Sequence, residues 1–176
     1  MRTLTHEEAR FWMVNKSVDL ENVEYNSIKT KTIPKDSGRR NSIAKMISAL
    51  EYGNECLLYI DEYGIWPSSE NMELFEGYRK SIGIDESLWE KPGHLIAASE
   101  RTELYCLLCL ILYFCWGSFL ISEKAVEIIR ISHDECIDVY VKGDILKGNT
   151  FISKFNAIFG GSGVTDTKSE EKRQPQ

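Results

Sequence analysis

Residues 104–121 read LYCLLCLILYFCWGSFLI, a run with no charged side chain. Its length is at the lower edge for a membrane span, ~17–25 residues. Such a run must be hidden, in lipid or in a protein core, and three features select the core. Gly117 and Ser118 divide it, as a helix C-cap followed by a strand would. Neither flank carries the Lys/Arg cluster that sets membrane topology. A chain of 176 residues suits one domain, and such a domain needs a central helix that is apolar nearly all round. The run therefore predicts a buried helix capped by Ser99 and followed by a strand, with no membrane association.

The flanking sequence supplies the other layers. Thr5 with Glu8 forms a capping box, in which each side chain satisfies the other's backbone donor. A helix over 6–16 follows, with Ala9, Trp12 and Met13 on one face. Residues 18–34 suit a strand that Pro34 ends. Asp36 or Ser37 caps the next helix, with Ile43, Met46, Ile47 and Leu50 inward and Gly53 as its stop.

Residues 56–71, CLLYIDEYGIWPSSEN, then read as a central strand, a turn at Gly64 and Pro67, and a helix capped by Ser68 or Ser69. In that helix Met72, Phe75, Arg79 and Ile82 share a face, with Arg79 at its margin and Gly83 closing it. Residues 84–98 show no regular period. After Gly117 come a hairpin turning at Glu123 and Lys124, a polar turn at 132–135, and a half-buried strand alternating through Ile137, Val139 and Val141. A final amphipathic segment over 145–159 reads as helix. The polar stretch 160–176 reads as a disordered tail.

This order predicts a single α/β (α+β) domain over 1–159, with packed helices, a mixed central sheet and a late antiparallel meander.

Charge bounds the function. Asp and Glu number 27 against 21 Lys and Arg, a net charge of -6. A general nucleic-acid binder needs a basic surface, so none is expected here. The five cysteines lie in apolar runs and read as buried and reduced, which fits the cytoplasm. The first residues lack an apolar signal core. No sequence motif implies a cofactor.

The candidate site residues are Asp61, Glu62, Trp66, Glu70, His94, His133, Asp134, Glu135, Arg39 and Arg40. All fall in expected loops or at element ends, where functional groups are usually mounted. Arg39 and Arg40 flank a helix start, which is suited to an anion or carboxylate. Asp61, Glu62 and Glu70 gather around Trp66 at the mouth of the central strand, a common ligand position in α/β sheets. Trp66 serves either as a core plug or as a binding anchor. The histidines with nearby carboxylates suit zinc or a similar ion, but HExxH and HxH are both missing. No GxSxG elbow supports a serine nucleophile.

The motifs IPKDSGRR, GIWPSSEN, KPGH and ISHDE occur in this order. Together they resemble a family of small uncharacterised bacterial proteins over roughly residues 5–142. That resemblance implies a bacterial origin and one compact domain, and no activity. The leading expectation is a non-catalytic module that binds a protein, such as an immunity or antitoxin-like factor blocking a basic partner. The alternative is a metal-assisted hydrolase or nuclease using His94, His133 and nearby carboxylates.

Overall fold

The uncharged run divides where a helix meets a strand. In a computed structural model, which describes residues 1–20, 26–62, 69–141 and 157, helix α4 spans Arg101–Phe114 and strand β5 spans Gly117–Ser122. Leu104, Leu107, Leu108, Ile111 and Leu112 of α4 are buried. The helix is closed by Cys115, whose φ of 53° places it in the left-handed region, and not by Gly117. That conformation lets the Trp116 amide return to the Ile111 carbonyl at 3.1 Å. The expected cap at Ser99 is also displaced: the cap position is Glu100, without a side-chain cap bond. Among the described residues no helix is long and apolar enough to cross a membrane.

The remaining elements, in chain order, are β1 (Arg2–Leu4), α1 (His6–Asn15), β2 (Asn26–Thr32), α2 (Ser37–Ser48), β3 (Glu55–Glu62), α3 (Ser69–Ser81), β4 (Gly93–Ala97), β6 (Glu127–Ser132) and β7 (Cys136–Val141). Local chemistry explains the boundaries. The Thr5–Glu8 capping box is formed. The Asp36 carboxylate accepts from the Arg39 amide at 2.8 Å and starts α2. Helix α2 ends at Ser48, before Gly53. The segments 145–159 and 160–176, apart from Ala157, lie outside the described residues.

The strands form one sheet in the order β1-β4-β3-β5-β6-β7-β2. An α/β domain of the α+β kind is therefore present, and the late meander is β5–β6–β7. The mixed sheet is not: every described pairing is antiparallel. The early strand–helix–strand alternation suggested parallel neighbours. However, the connection after α3 returns the chain to the end of β3 that it left, with Gly93 opposite Tyr59. Strand β4 must then run back along β3.

Alternation along the strands feeds two cores. Leu58, Ile60, Leu120, Ile129, Ile131, Ile137 and Val139 meet α2, α3 and α4 on one face. On the other face, Leu57, Ile121 and Ile128 meet Ala9 and Met13 of α1. Arg79, expected at the margin of α3, is fully buried. Of the cysteines, expected to be buried, only Cys56 is; the other four are half-buried.

Gly53 has a structural role in the connection to β3. Its φ is +91°, and a Cβ there would lie 2.4 Å from Glu123 Oε2. That carboxylate accepts the Asn54 amide at 2.8 Å. Gly53→Ala is expected to lower stability by about 1–3 kcal/mol through backbone strain and loss of this contact. The midpoint of thermal unfolding would check it.

Candidate functional site

Antiparallel pairing brings many of the candidate residues to one end of the sheet. Strand β3 finishes there with Asp61 and Glu62, β4 starts there with Gly93 and His94, and β6 and β7 turn there through His133, Asp134 and Glu135. The β2–α2 connection, with Arg39 and Arg40 beyond it, meets the same end, because Thr32 pairs with Cys136. Trp66 lies outside the described residues, as do the side chains of Glu62 and Glu70.

Within that end the candidates separate by role. Arg40 is a tie between elements. Its Nε donates to the Pro34 carbonyl at 2.7 Å, and Nη1 donates to the Leu112 and Tyr113 carbonyls at 3.1 Å each. The last two are orphan acceptors at the α4 C-terminus, where a cation is favoured. Nη2 lies 4.0 Å from Glu135 Oε1. Arg39 is exposed and starts α2 through its amide. Arg40→Ala is therefore expected to cost about 2–3 kcal/mol, from hydrogen bonds made by a charged group. Arg39→Ala should stay within ~0.5 kcal/mol. Parallel urea titrations of the two variants compare them directly.

The 133–135 turn is held from within and by Ile33, the residue after β2. The Asp134 amide donates to Ser132 Oγ at 3.2 Å, and His133 Nε2 lies 3.4 Å from Asp134 Oδ1. Glu135 has φ of 58°, and its carbonyl accepts the Ile33 amide at 2.6 Å. This is the geometry of a turn in which a serine bonds back to the chain.

His94 was expected in a loop, next to a Pro-Gly turn. It lies within β4 instead, paired with Thr3 and Leu58. Its exposure is 0%, and its ring meets Phe75 edge-on at 6.4 Å. Strands β3 and β5 separate β4 from the β6–β7 turn. Three strand steps of ~4.8 Å put His94 and His133 at least ~14 Å apart. The fold thus does not converge the two histidines on one ion. Among the described residues no group of three or more His, Cys, Asp or Glu side chains is placed to hold a metal.

A surface that sequence reasoning missed lies on the α1 face. A groove of about 820 Å³ runs between α1 and the sheet, lined by residues that include Arg10, Met13, Val14, Tyr59, Asp61 and Phe119. Tyr59 is anchored by His6, whose Nδ1 lies 2.8 Å from the hydroxyl. The Arg130 guanidinium covers the Phe119 ring at 5.7 Å. On α1, Phe11 and Val14 are each 69% exposed. Two sequence signals mark this surface. Tyr59 and Asp61 fall on the strand face opposite Leu58 and Ile60. Phe11 and Val14, at i and i+3, lie off the Ala9–Met13 stripe. Among the described residues, Asp61 is the candidate chosen from sequence that lines this groove.

Compared with protein-family models, curated proteins and solved structures, the chain matches none.

Proposed function

We propose that the protein acts by binding another protein, as a non-catalytic module of the bacterial cytosol, and that the α1 groove receives the partner. An immunity or antitoxin-like role toward a basic protein is the concrete form of this reading. The observation that carries it is the exposure of Phe11 and Val14 beside a groove with aromatic walls. A soluble surface usually presents large apolar side chains singly. Two on one helix, with Val14 lining a concave surface that also holds Tyr59 and Phe119, have the composition of an interface core. The net charge of -6 favours association with a basic partner. The groove's charged lining is mixed, with Asp19 and Asp61 beside Arg10.

The test is affinity capture from a native-host lysate with the wild type and a Phe11→Glu/Val14→Glu double variant. The wild type is expected to retain a specific protein, and the variant to bind it at least about tenfold more weakly, because buried apolar anchors carry much of an interface's energy. Both side chains are exposed, so the variant should keep its unfolding midpoint. Recovery of no specific partner, or equal retention by the variant, would sink the proposal.

A further inference from the structure

The least expected cluster in the fold lies beneath α3. Arg79 is fully buried: Nη1 meets Glu76 Oε2 at 3.0 Å, and Nη2 donates to the Lys91 carbonyl at 3.1 Å. The other Glu76 oxygen accepts the Leu88 amide at 2.5 Å. His94 lies in the same dry space, against Phe75 of α3. Arg79 Nε and both ring nitrogens of His94 find no hydrogen-bond partner among the described residues. Buried polar atoms are normally well paired, and here, among the described residues, the only groups that act on the ring as hydrogen-bond partners are the Pro92 and Leu58 backbone, short of a well-formed bond.

We propose that Arg79, Glu76 and His94 form an acid-operated latch that holds α3 on the sheet and releases it when His94 gains a proton. With neutral imidazole, the buried space holds one cation and one carboxylate. Protonation adds a second cation beside Arg79, and Glu76 is already engaged by Arg79 and by the Leu88 amide. The backbone of Pro92 and of Leu58 favours the charged ring, but by less than burial and Arg79 oppose it. Thr3, Leu58 and Phe75 do not ionise, and the side chain of Lys91 is held away by Glu86 at 3.3 Å. Lifting α3 hydrates Arg79, Glu76 and His94 together. Burial, and then the Arg79 charge, hold the His94 proton affinity far down, with a pKa of about 3. The closed form therefore excludes the proton that the open form takes up. The rest of the sheet is also covered by α2 and α4 on this face and by α1 on the other.

Amide hydrogen exchange from pH 7 to pH 4, corrected for the intrinsic rate, tests the latch. Protection of α3 should fall by up to about tenfold per pH unit below 6.5, the slope for uptake of one proton. Amides of β5, β6 and β7 should keep their protection over the same range, and His94→Leu should remove the pH dependence of α3. Equal loss across α3 and β5–β7, or an unchanged profile in His94→Leu, would overturn the proposal. If that variant does not fold, the ring resonance of His94 in the wild type decides. Titration of the ring near its ordinary value with α3 still protected would also overturn it.

Discussion

Replacing Arg79 with alanine is expected to lower the unfolding free energy at pH 7 by about 3–5 kcal/mol, the range for removing one partner of a buried ion pair. The magnitude follows from what the change leaves behind. Glu76, partly buried, loses the guanidinium held at 3.0 Å, and the Lys91 carbonyl loses its donor. The aliphatic stem of Arg79 is also buried in the core, so its removal opens a void. A paired replacement separates the charge from the packing. Arg79→Met with Glu76→Gln keeps volume at both positions, leaves an acceptor for the Leu88 amide and strands no ion. It should recover at least half of the loss, because apolar substitutes for a buried pair are often nearly neutral. Denaturant titrations of the wild type and both variants give the comparison. A cost below ~1 kcal/mol for Arg79→Ala would contradict the burial of this pair.

Arg79 also shows where sequence reading stops. Its place on the Met72–Phe75–Ile82 face is visible from helical spacing. Full burial of an arginine is not, because it depends on the Lys91 carbonyl, contributed by the 82–92 connection. The capping signals at Thr5, Glu8 and Asp36 act within a few residues and were legible. So was the meander, through the alternation of Ile137, Val139 and Val141. Strand β4 was not: GHLIA is short, starts at a Pro-Gly pair and contains a histidine. Its pairing with β1 and β3 is non-local, and such pairing overrides weak propensity. The misplacement of His94 follows from the same error. For the uncharged run, a Gly117 cap was one of three grounds for the core reading. The break was real, but Cys115 supplies the left-handed residue.

The candidate site divides along the same line. That Asp61 ends a central strand follows from local chemistry, and the groove beside it does not. Its walls come from α1 and the segment 17–20 after it, and from β3 and β5, which are distant in sequence from them. Alternation did indicate that Tyr59 and Asp61 face away from Leu58 and Ile60. It could not show that, among the described residues, α1 covers only part of that second face. A continuous apolar strand suggests burial on both sides, and β3 does feed a separate core on each face.

Acidification is expected to destabilise the whole protein through His94, in a window set by its two proton affinities. The folded value is about 3, below the ordinary 6.5. The unfolded chain therefore takes up the proton first as pH falls. The stabilisation tied to neutral His94 is fully present above pH ~6.5 and is lost progressively toward pH ~3. The slope for one proton is ~1.4 kcal/mol per pH unit, or up to about 5 kcal/mol across the interval. Glu8, Glu86 and Glu123 are also held below the ordinary carboxylate value, chiefly by backbone hydrogen bonds. Their losses have the same sign but begin lower, near pH 4.5. Between pH 6.5 and 5 the histidine effect therefore stands apart. Urea titrations at half-unit steps should show the wild type losing about 2 kcal/mol over that range, with His94→Leu nearly flat. Equal slopes in the two proteins would remove His94 as the cause. Release of α3 sets a floor to the effect: once His94 is hydrated in the folded protein, further protonation no longer favours unfolding. A slope that flattens at the pH where α3 loses exchange protection would join the local and global measurements into one linkage.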